Sequence, residues 1–273
     1  MSTTEPEIAP ALAPGTGRNT SFASFRCIMA LILREMSTRY GRSPGGYVWA
    51  ILEPLGAIVV LAVGFSLLLR TPSLGNSFLL FYATGYLPFS LYSALADMIA
   101  RSINFSRALL YYPAVSWIDT VLARFILNSL TTVLVSYILL ASIMFFSDTR
   151  SVISFKPIVW SMVLAMLLGL GVGTLNCVIT GMLPVWRTIW GIATRPLMIA
   201  SGVLFLYEDL PQGGQNILWY NPLIHITGLM REGFYTTYTA SYVSKIYVLI
   251  VSAAVLAMGL LLLRRYHREL LER

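Results

Sequence analysis

The chain has 273 residues, of which 57% are apolar and only 11% charged, and its mean hydropathy is +0.73. Water-soluble domains usually carry about 25% charged residues, so this composition excludes a water-soluble globule and indicates a membrane protein. The formal net charge is +7. Basic residues on the inner face of a membrane protein account for that charge, so no nucleic-acid partner is needed.

The first segments of the chain differ in pattern. Residues 1–20 are rich in Pro, Ala, Thr and Gly and lack the apolar core of a cleavable signal, so we expect a disordered cytoplasmic tail. Residues 21–43 predict an amphipathic helix lying in the inner membrane interface, although a soluble helix packed on another domain is an alternative. Its apolar residues recur at spacings near three and four: Phe22, Phe25, Ile28, Met29, Ile32 and Met36.

Residues 44–273 contain six runs that approach or exceed the roughly 20 mostly apolar residues a transmembrane helix needs. They predict an all-α domain with six spans, at 50–69, 78–100, 121–146, 157–183, 189–206 and 244–263. If the N-terminus is inside, fourteen of the nineteen basic residues lie on the inner side. Because Lys and Arg are retained on the cytoplasmic face, we expect both termini in the cytoplasm.

Two connecting segments are too apolar for ordinary loops. Residues 101–119, on the inner side, predict a short amphipathic helix from Asn104 to Leu110 that ends before Pro113, because proline disfavours helix in the preceding residue. Such a segment either docks a partner protein or rests on lipid. Residues 207–243 contain an apolar patch broken by Pro and Gly, which predicts a re-entrant pair of short helices at the outer mouth or, alternatively, a surface loop.

Motifs for catalysis or nucleotide binding are missing from the sequence. There is no P-loop, and the lysines are Lys156 and Lys245, both assigned to the outer side. There is no zinc-protease or serine-hydrolase motif, and His225 is interpreted as a structural hydrogen-bonding residue rather than a base. We therefore expect no cofactor or metal on this chain. The acids Glu53 and Asp97 lie near the inner ends of their spans, which disfavours an ion-driven transporter.

Four aromatic residues of the second predicted span recur at spacings of four, three and three, which places them on one helix face: Tyr82, Tyr86, Phe89 and Tyr92. Stacked rings with hydroxyls suit the C–H faces and OH groups of sugars, so this face is a candidate path for a sugar polymer. It extends about 15 Å along the helix axis, whereas an interfacial aromatic belt occupies one depth. Packing in the helix–helix core is the remaining alternative.

Gly169 and Gly173 stand at the GxxxG spacing that lets two helices approach closely. Gly171 lies between them. The sequence leaves open whether this small-residue face packs within one subunit or between two.

The stretch TRYGRSPGGYVWAILEP, from Thr38 to Pro54, and the stretch NPLIHITGLMREGFY, from Asn221 to Tyr235, carry a family resemblance. Together with six spans and a basic inner loop, they resemble the inner-membrane permeases of capsule polysaccharide exporters, the polysaccharide branch of the type-two ATP-binding-cassette exporters. The resemblance covers nearly the whole chain after residue 20. Related permeases that export O-antigen, teichoic acid, lipid or drugs are the alternative within transport.

The resemblance implies a homodimer in the bacterial inner membrane, joined to two copies of a separate cytoplasmic ATPase that binds ATP and Mg. It also implies periplasmic and outer-membrane export partners and a lipid-linked, often acidic polysaccharide that moves from cytoplasm to periplasm. By position, it assigns ATPase coupling to Arg101, Asn104, Arg107, Tyr111, Tyr112 and Pro113. It assigns a periplasmic gate to Trp219, Asn221, Pro222, His225, Arg231 and Glu232.

Near the interfacial helix, Arg34, Arg39 and Arg42 are candidates to meet the phosphates of the substrate's lipid end as charge-assisted donors. Anchoring of the same residues to anionic lipid is the alternative. A membrane-embedded glycosyl- or acyltransferase would need acidic or histidine residues that converge on a lipid-facing site. The outer candidates for that are Glu208, Asp209, Glu232 and His225.

Overall fold

A computed structural model describes residues 23–40, 46–112, 115–147 and 153–272, and the predicted tail at 1–20 lies outside these ranges. The regular structure in the described ranges is helical, without strands. In chain order the helices are α1 Ala23–Tyr40, α2 Gly46–Ser66, α3 Phe78–Ala100, α4 Ser102–Leu110, α5 Trp117–Phe146, α6 Phe155–Met182, α7 Trp186–Ala200, α8 Gln212–Leu218, α9 Pro222–Phe234 and α10 Lys245–Glu272, with a short 3-10 helix at Tyr207–Asp209.

Five stretches of the described helices are long and apolar enough to cross a membrane: Val48–Ser66, Phe78–Leu110, Trp117–Phe146, Phe155–Met182 and Lys245–Leu271. The prediction of an all-α, multi-pass membrane protein is therefore confirmed.

The predicted fifth span at 189–206 differs from the observed helix. α7 has 15 residues and ends at Ala200, so it is about 22 Å long, against the roughly 30 Å of a bilayer core. Helix does not continue because Gly202 adopts a φ of 71°, which is outside the helical region. In the opposite sense, α10 continues to Glu272, beyond the predicted end at 263.

The centre of the bundle is formed by α6 packed between α3 and α10. A methyl group added at Gly169 would lie 2.9 Å from Leu95 Cβ of α3, and one at Gly173 would lie 2.7 Å from Ile99 Cβ. A methyl group at Gly171 would lie 3.0 Å from backbone atoms of α10. The glycine face therefore packs within the subunit, which decides the question that the sequence left open.

Contacts between helix termini divide the bundle into two ends. At the first, which we call the α4 end, the start of α5, the end of α3 and the end of α10 meet around α4. There Arg107 Nη2 donates to the Leu271 carbonyl at 2.6 Å. At the second, the α9 end, the starts of α3 and α6 and the end of α5 meet around the end of α9. There the Ser154 amide donates to the Gly233 carbonyl at 2.9 Å.

Short polar caps determine where two of the long helices begin. The Ser77 hydroxyl accepts a hydrogen bond from the Leu80 amide at the start of α3. At the start of α5, Ser116 and Asp119 form a reciprocal capping box, which places the Asp119 carboxylate in a buried position. Such caps satisfy backbone amides that have no partner inside the helix.

Candidate functional site

A cavity of about 500 Å³ lies between α2, α3, α6 and α7, towards the α4 end. Aromatic and polar side chains share its wall. They include Glu53, Tyr86, Phe89, Ser90, Ser93, Asp97, Arg101, Asn176, Thr180, Arg187, Trp190 and Thr194. Two of the four aromatic residues proposed from the sequence as a sugar path, Tyr86 and Phe89, are therefore brought to a cavity.

Phe89 is itself only 5% exposed, and the other two aromatic residues of that face lie in the core without lining the cavity. Tyr82 is buried, and its ring centre is 5.3 Å from that of Phe65 and 5.2 Å from that of Phe81. Tyr92 is also buried, and its backbone carbonyl lies against Gly169. The regular spacing places the four rings on one side of α3. At Tyr82 and Tyr92, the two ends of this row, that side is covered by neighbouring residues of the core.

The cavity wall formed by α6 and α7 is polar and is ordered by a tryptophan. Trp186 Nε1 donates to Asn176 Oδ1 at 3.0 Å, and the ring of Trp186 stacks on that of Trp190 at 6.2 Å between centres. Asn176 is 3% exposed, and its Nδ2 has no hydrogen-bond partner among the described residues. A buried amide donor facing a polar cavity is able to bind an oxygen of a ligand.

Basic side chains gather at the α4 end beside this cavity. A second cavity of about 480 Å³ is lined by Glu35, Thr38, Arg101, Asn104, Phe105, Arg124 and Arg187. Arg34 lies nearby, and its Nη1 is buried without a hydrogen-bond partner in the described part of the chain. The side chain of Arg39 and all of Arg42 lie outside the described residues. Of the three arginines predicted to meet the phosphates of the substrate's lipid end, the structure therefore describes only the side chain of Arg34.

The predicted coupling residues surround α4. Arg107 and the Tyr111 hydroxyl both donate to the Leu271 carbonyl at the end of α10, the latter at 3.0 Å. Asn104, Tyr111 and Tyr112 are exposed, and Arg101 pairs with Asp97. Pro113 lies outside the described residues. The helix itself begins at Ser102, two residues before the predicted start.

Four of the predicted gate residues, Trp219, Asn221, Pro222 and His225, lie around the start of α9, whereas Arg231 and Glu232 lie near its end. Asn221 caps the helix through its Oδ1, which accepts from the Leu223 amide at 3.1 Å, and Pro222 occupies the first turn. The Asn221 amide nitrogen donates to the Ala200 carbonyl at 3.0 Å, which joins α9 to the end of α7. Two short helices therefore occupy the segment predicted to contain them.

His225 is fully buried and both its ring nitrogens are engaged. Nε2 lies 2.8 Å from the Trp219 carbonyl, and Nδ1 accepts from the Ser244 amide at 3.3 Å. This pairing requires the neutral ring with its proton on Nε2, and burial lowers the His225 pKa below its usual value. The contacts support the interpretation of His225 as a structural hydrogen-bonding residue.

Arg231 is 2% exposed and sits between α9, α3 and the segment after α7. Its Nη1 donates to the Phe205 carbonyl at 2.8 Å and its Nη2 to the Val203 carbonyl at 3.1 Å. Its guanidinium carbon lies 4.3 Å from the Phe81 ring centre. Neighbouring Glu232 is half-buried. Arg231 therefore connects α9 to the backbone of residues 203–205 and to the Phe81 ring of α3.

Sequence reasoning missed the polar residues Asn176 and Arg187 of the cavity wall and the buried pair of Glu35 with Arg124. The pair is joined at 3.3 Å between Arg124 Nε and Glu35 Oε2. The sequence did contain a sign that Glu35 is special, because Glu35 is the one acidic residue of the predicted interfacial helix. Its partner, 89 positions away on another helix, had no sequence signal.

Three relatives show what this chain is similar to. The polysialic acid transport protein KpsM of Escherichia coli is 30% identical over 246 residues, covering 89% of this chain and 95% of the relative. The capsule polysaccharide export inner-membrane protein CtrC of Neisseria meningitidis serogroup A is 25% identical over 245 residues, with 89% and 92% covered. The corresponding protein BexB of Haemophilus influenzae is 26% identical over 245 residues, with the same coverage.

The family described as ABC-2 type transporter matches residues 26–235. That match runs from α1 to the end of α9 and includes the cavity walls, α4 and Arg231. The three relatives are named as transport or export proteins. It belongs to the ABC-2 type transporter family.

Proposed function

We propose that this chain is the membrane permease of an ATP-driven exporter that moves a lipid-linked capsular polysaccharide from the cytoplasm to the periplasm. The observation that carries the proposal is the similarity to capsule and polysialic acid exporters, which extends over 89% of the chain. An aromatic and polar cavity beside a cluster of arginines fits an acidic sugar polymer with a phosphate-bearing lipid end.

A sixth crossing of the membrane, by α7 and residues 201–206, is part of this proposal. Arg187 at the start of α7 lines cavities with Arg101 at the α4 end. The start of α10 lies at the opposite end, where Ser244 contacts His225. The chain must pass from one end to the other between these points, which supports six crossings and two termini on the cytoplasmic side.

For the interfacial position of α1, the support is the exposure of its apolar residues. Phe25, Met29 and Met36 are exposed on α1, whereas Leu31 and Glu35 face the bundle. An exposed apolar stripe on a helix that precedes the first span suits the boundary between headgroups and acyl chains.

The sugar path proposed here runs along Tyr86, Phe89 and Trp190. Their rings offer weak stacking contacts that suit a sliding polymer, and Asn176 and Thr180 offer hydrogen bonds to sugar hydroxyls. Entry of the lipid end is proposed at the neighbouring arginine cluster, where Arg34 Nη1 is buried and finds no hydrogen-bond partner within the described ranges. A buried free donor favours a phosphate ligand over loose attraction to the membrane surface.

We also propose a homodimer with one ATPase docked on each α4. Support for the dimer comes from α7, which forms a cavity wall although none of its residues is buried in one subunit. A second copy would cover that helix and close the path. Support for docking at α4 comes from the exposed rings of Tyr111 and Tyr112. Periplasmic and outer-membrane export proteins would continue the path beyond the α9 end.

The test is to purify the chain with a candidate cytoplasmic ATPase from the same organism and to measure polymer export and ATP hydrolysis. We expect the ATPase to be retained and its hydrolysis to rise with a capsular polysaccharide. The double variant Tyr86→Ala with Phe89→Ala should lower export more than protein abundance. Tyr92→Ala, at a buried ring of α3 that does not line the cavity, is the matched control and should lower export only in proportion to abundance.

Loss of export only in proportion to abundance would move the sugar path elsewhere. Stimulation by an O-antigen or teichoic acid polymer instead of a capsular one would favour the alternative substrates. A chain that retains no ATPase would contradict the proposed function.

A further inference from the structure

One buried guanidinium joins four helices at the α4 end. Arg124, the eighth residue of α5, is 6% exposed. Its Nε lies 3.3 Å from Glu35 Oε2 of α1, and its Nη1 donates to the Met98 carbonyl of α3 at 2.7 Å. Its Cζ lies 4.2 Å from the ring centre of Phe105 of α4. The planar guanidinium suits such a position, because its charge faces Glu35, one N–H donates to a carbonyl and its face meets an aromatic ring.

α1 is held to the start of α5 at a second point. The Ser24 hydroxyl donates to the Asp119 carboxylate, the same group whose other oxygen accepts from the Ser116 amide at 3.1 Å. Glu35 and Asp119 are each 4% exposed. Two buried carboxylates therefore attach the two halves of α1 to the first turns of α5.

α4 is connected to α1 through the ring of Phe105. Arg34 Cζ of α1 lies 5.2 Å from that ring centre, so Phe105 lies within cation–π distance of guanidinium groups from both α1 and α5. The ring remains 38% exposed. A displacement of α4 would therefore move the ring against Arg34 and Arg124 together.

We propose that Arg124 is a positioning residue that makes α1 follow the movements of α4. The proposal rests on the proposed function, in which a separate ATPase acts on α4. α1 directly precedes α2 in the chain, and Glu53 of α2 lines the candidate sugar cavity. The Arg124 link thus gives nucleotide-driven motion a route to a cavity wall, because one buried guanidinium contacts α1, α3 and α4 at the same time.

The test uses the permease in complex with its ATPase and measures polymer exported per ATP hydrolysed. Glu35→Gln keeps the shape of the side chain and removes its charge, and Phe105→Leu removes the ring face. For Glu35→Gln we expect ATPase binding and hydrolysis to be retained. Phe105 lies on the docking helix α4, so for Phe105→Leu the hydrolysis of the ATPase that remains bound is measured as well. In both variants we expect polymer exported per ATP hydrolysed to fall about tenfold, within the usual range for coupling between sites. Phe105→Tyr, which keeps the ring, should retain export.

Phe145→Leu is the matched control, since Phe145 is an exposed ring at the far end of α5. A merely structural role would lower protein abundance and leave export per ATP unchanged, and that result in both variants would overturn the link. If Glu35→Gln fails to accumulate, export per ATP measured on Phe105→Leu, at a partly exposed position, decides whether the link exists. Failure of the unaltered chain to bind any ATPase would instead overturn the proposed function, and the link with it.

Discussion

At the α4 end, charged side chains reach charged or aromatic partners, as Arg124 does to Glu35 and Asp97 does to Arg101. At the α9 end, Arg231 donates to two backbone carbonyls, and His225 is neutral with both ring nitrogens engaged by the backbone. The Asp97–Arg101 pair lies partly exposed beside a cavity, whereas the Arg124–Glu35 pair and the contacts of the α9 end are buried. The difference indicates that the exposed rim of the α4 end rearranges at low cost, while the α9 end acts as a fixed frame.

The largest expected effect is at Arg231. Arg231→Met would leave the Phe205 and Val203 carbonyls without their donors in a buried site, which should cost about 3–5 kcal/mol of stability. The measurement is thermal unfolding of the purified permease in detergent. Arg264→Met, at an exposed arginine of α10, is the control and should unfold like the unaltered protein. Equal unfolding temperatures for both variants would break the contrast between the two ends.

A smaller effect is expected from pH at His225. Because burial lowers its pKa in the folded state, the unfolded chain binds a proton near pH 6.5 that the folded chain does not. Stability contributed by the neutral ring is therefore complete above about pH 6.5 and is lost as the pH falls below it. We therefore expect the free energy of unfolding to decrease between pH 7.5 and pH 5.5.

The matched variant for this prediction is His225→Gln, whose amide offers a donor and an acceptor but does not titrate. Unfolding measured across the same pH range should show a weaker pH dependence in the variant. An identical dependence in both proteins would assign the pH effect to other groups and remove His225 from the account of the α9 end.

The smallest effect is expected at Asp97, whose side chain is 49% exposed and pairs with Arg101. Asp97→Asn should change stability by no more than about 1 kcal/mol, and less at high salt, because exposed ion pairs are weak and screened. Unfolding of both proteins at low and high salt measures it. A loss comparable to that of Arg231→Met would mean that the α4 end is as rigid as the α9 end.

Local features of the sequence predicted the long helices well. The predicted span 78–100 coincides with α3, because an apolar run bounded by the Ser77 cap and by Arg101 contains its own start and stop signals. The segment 189–206 differs because hydropathy does not register tertiary packing. Residues after Ala200 leave the helix so that the Val203 backbone packs against Gly85, where even a methyl group would lie 3.0 Å from the Val203 carbonyl.

The candidate site was predictable only in part, for the same reason. Spacing correctly placed Tyr86 and Phe89 on one face of α3, but which neighbours cover Tyr82 and Tyr92 depends on helices far away in the chain. The contact of Glu35 with Arg124 likewise depends on how α1 meets α5. One sequence contains periodicity and caps, whereas pairings between distant helices require the folded structure.

The glycines of α6 have a mechanical consequence for the candidate conduit. Since Gly169 and Gly173 bring the backbones of α3 and α6 into contact, this pair of helices forms a wall that cannot be compressed and has little freedom to slide. The facing wall, α7, has no buried residue within the subunit. The width of the candidate conduit therefore changes most easily when α7 moves and α3 and α6 stay in place. Polymers of different diameter would be accommodated by displacement of α7 alone.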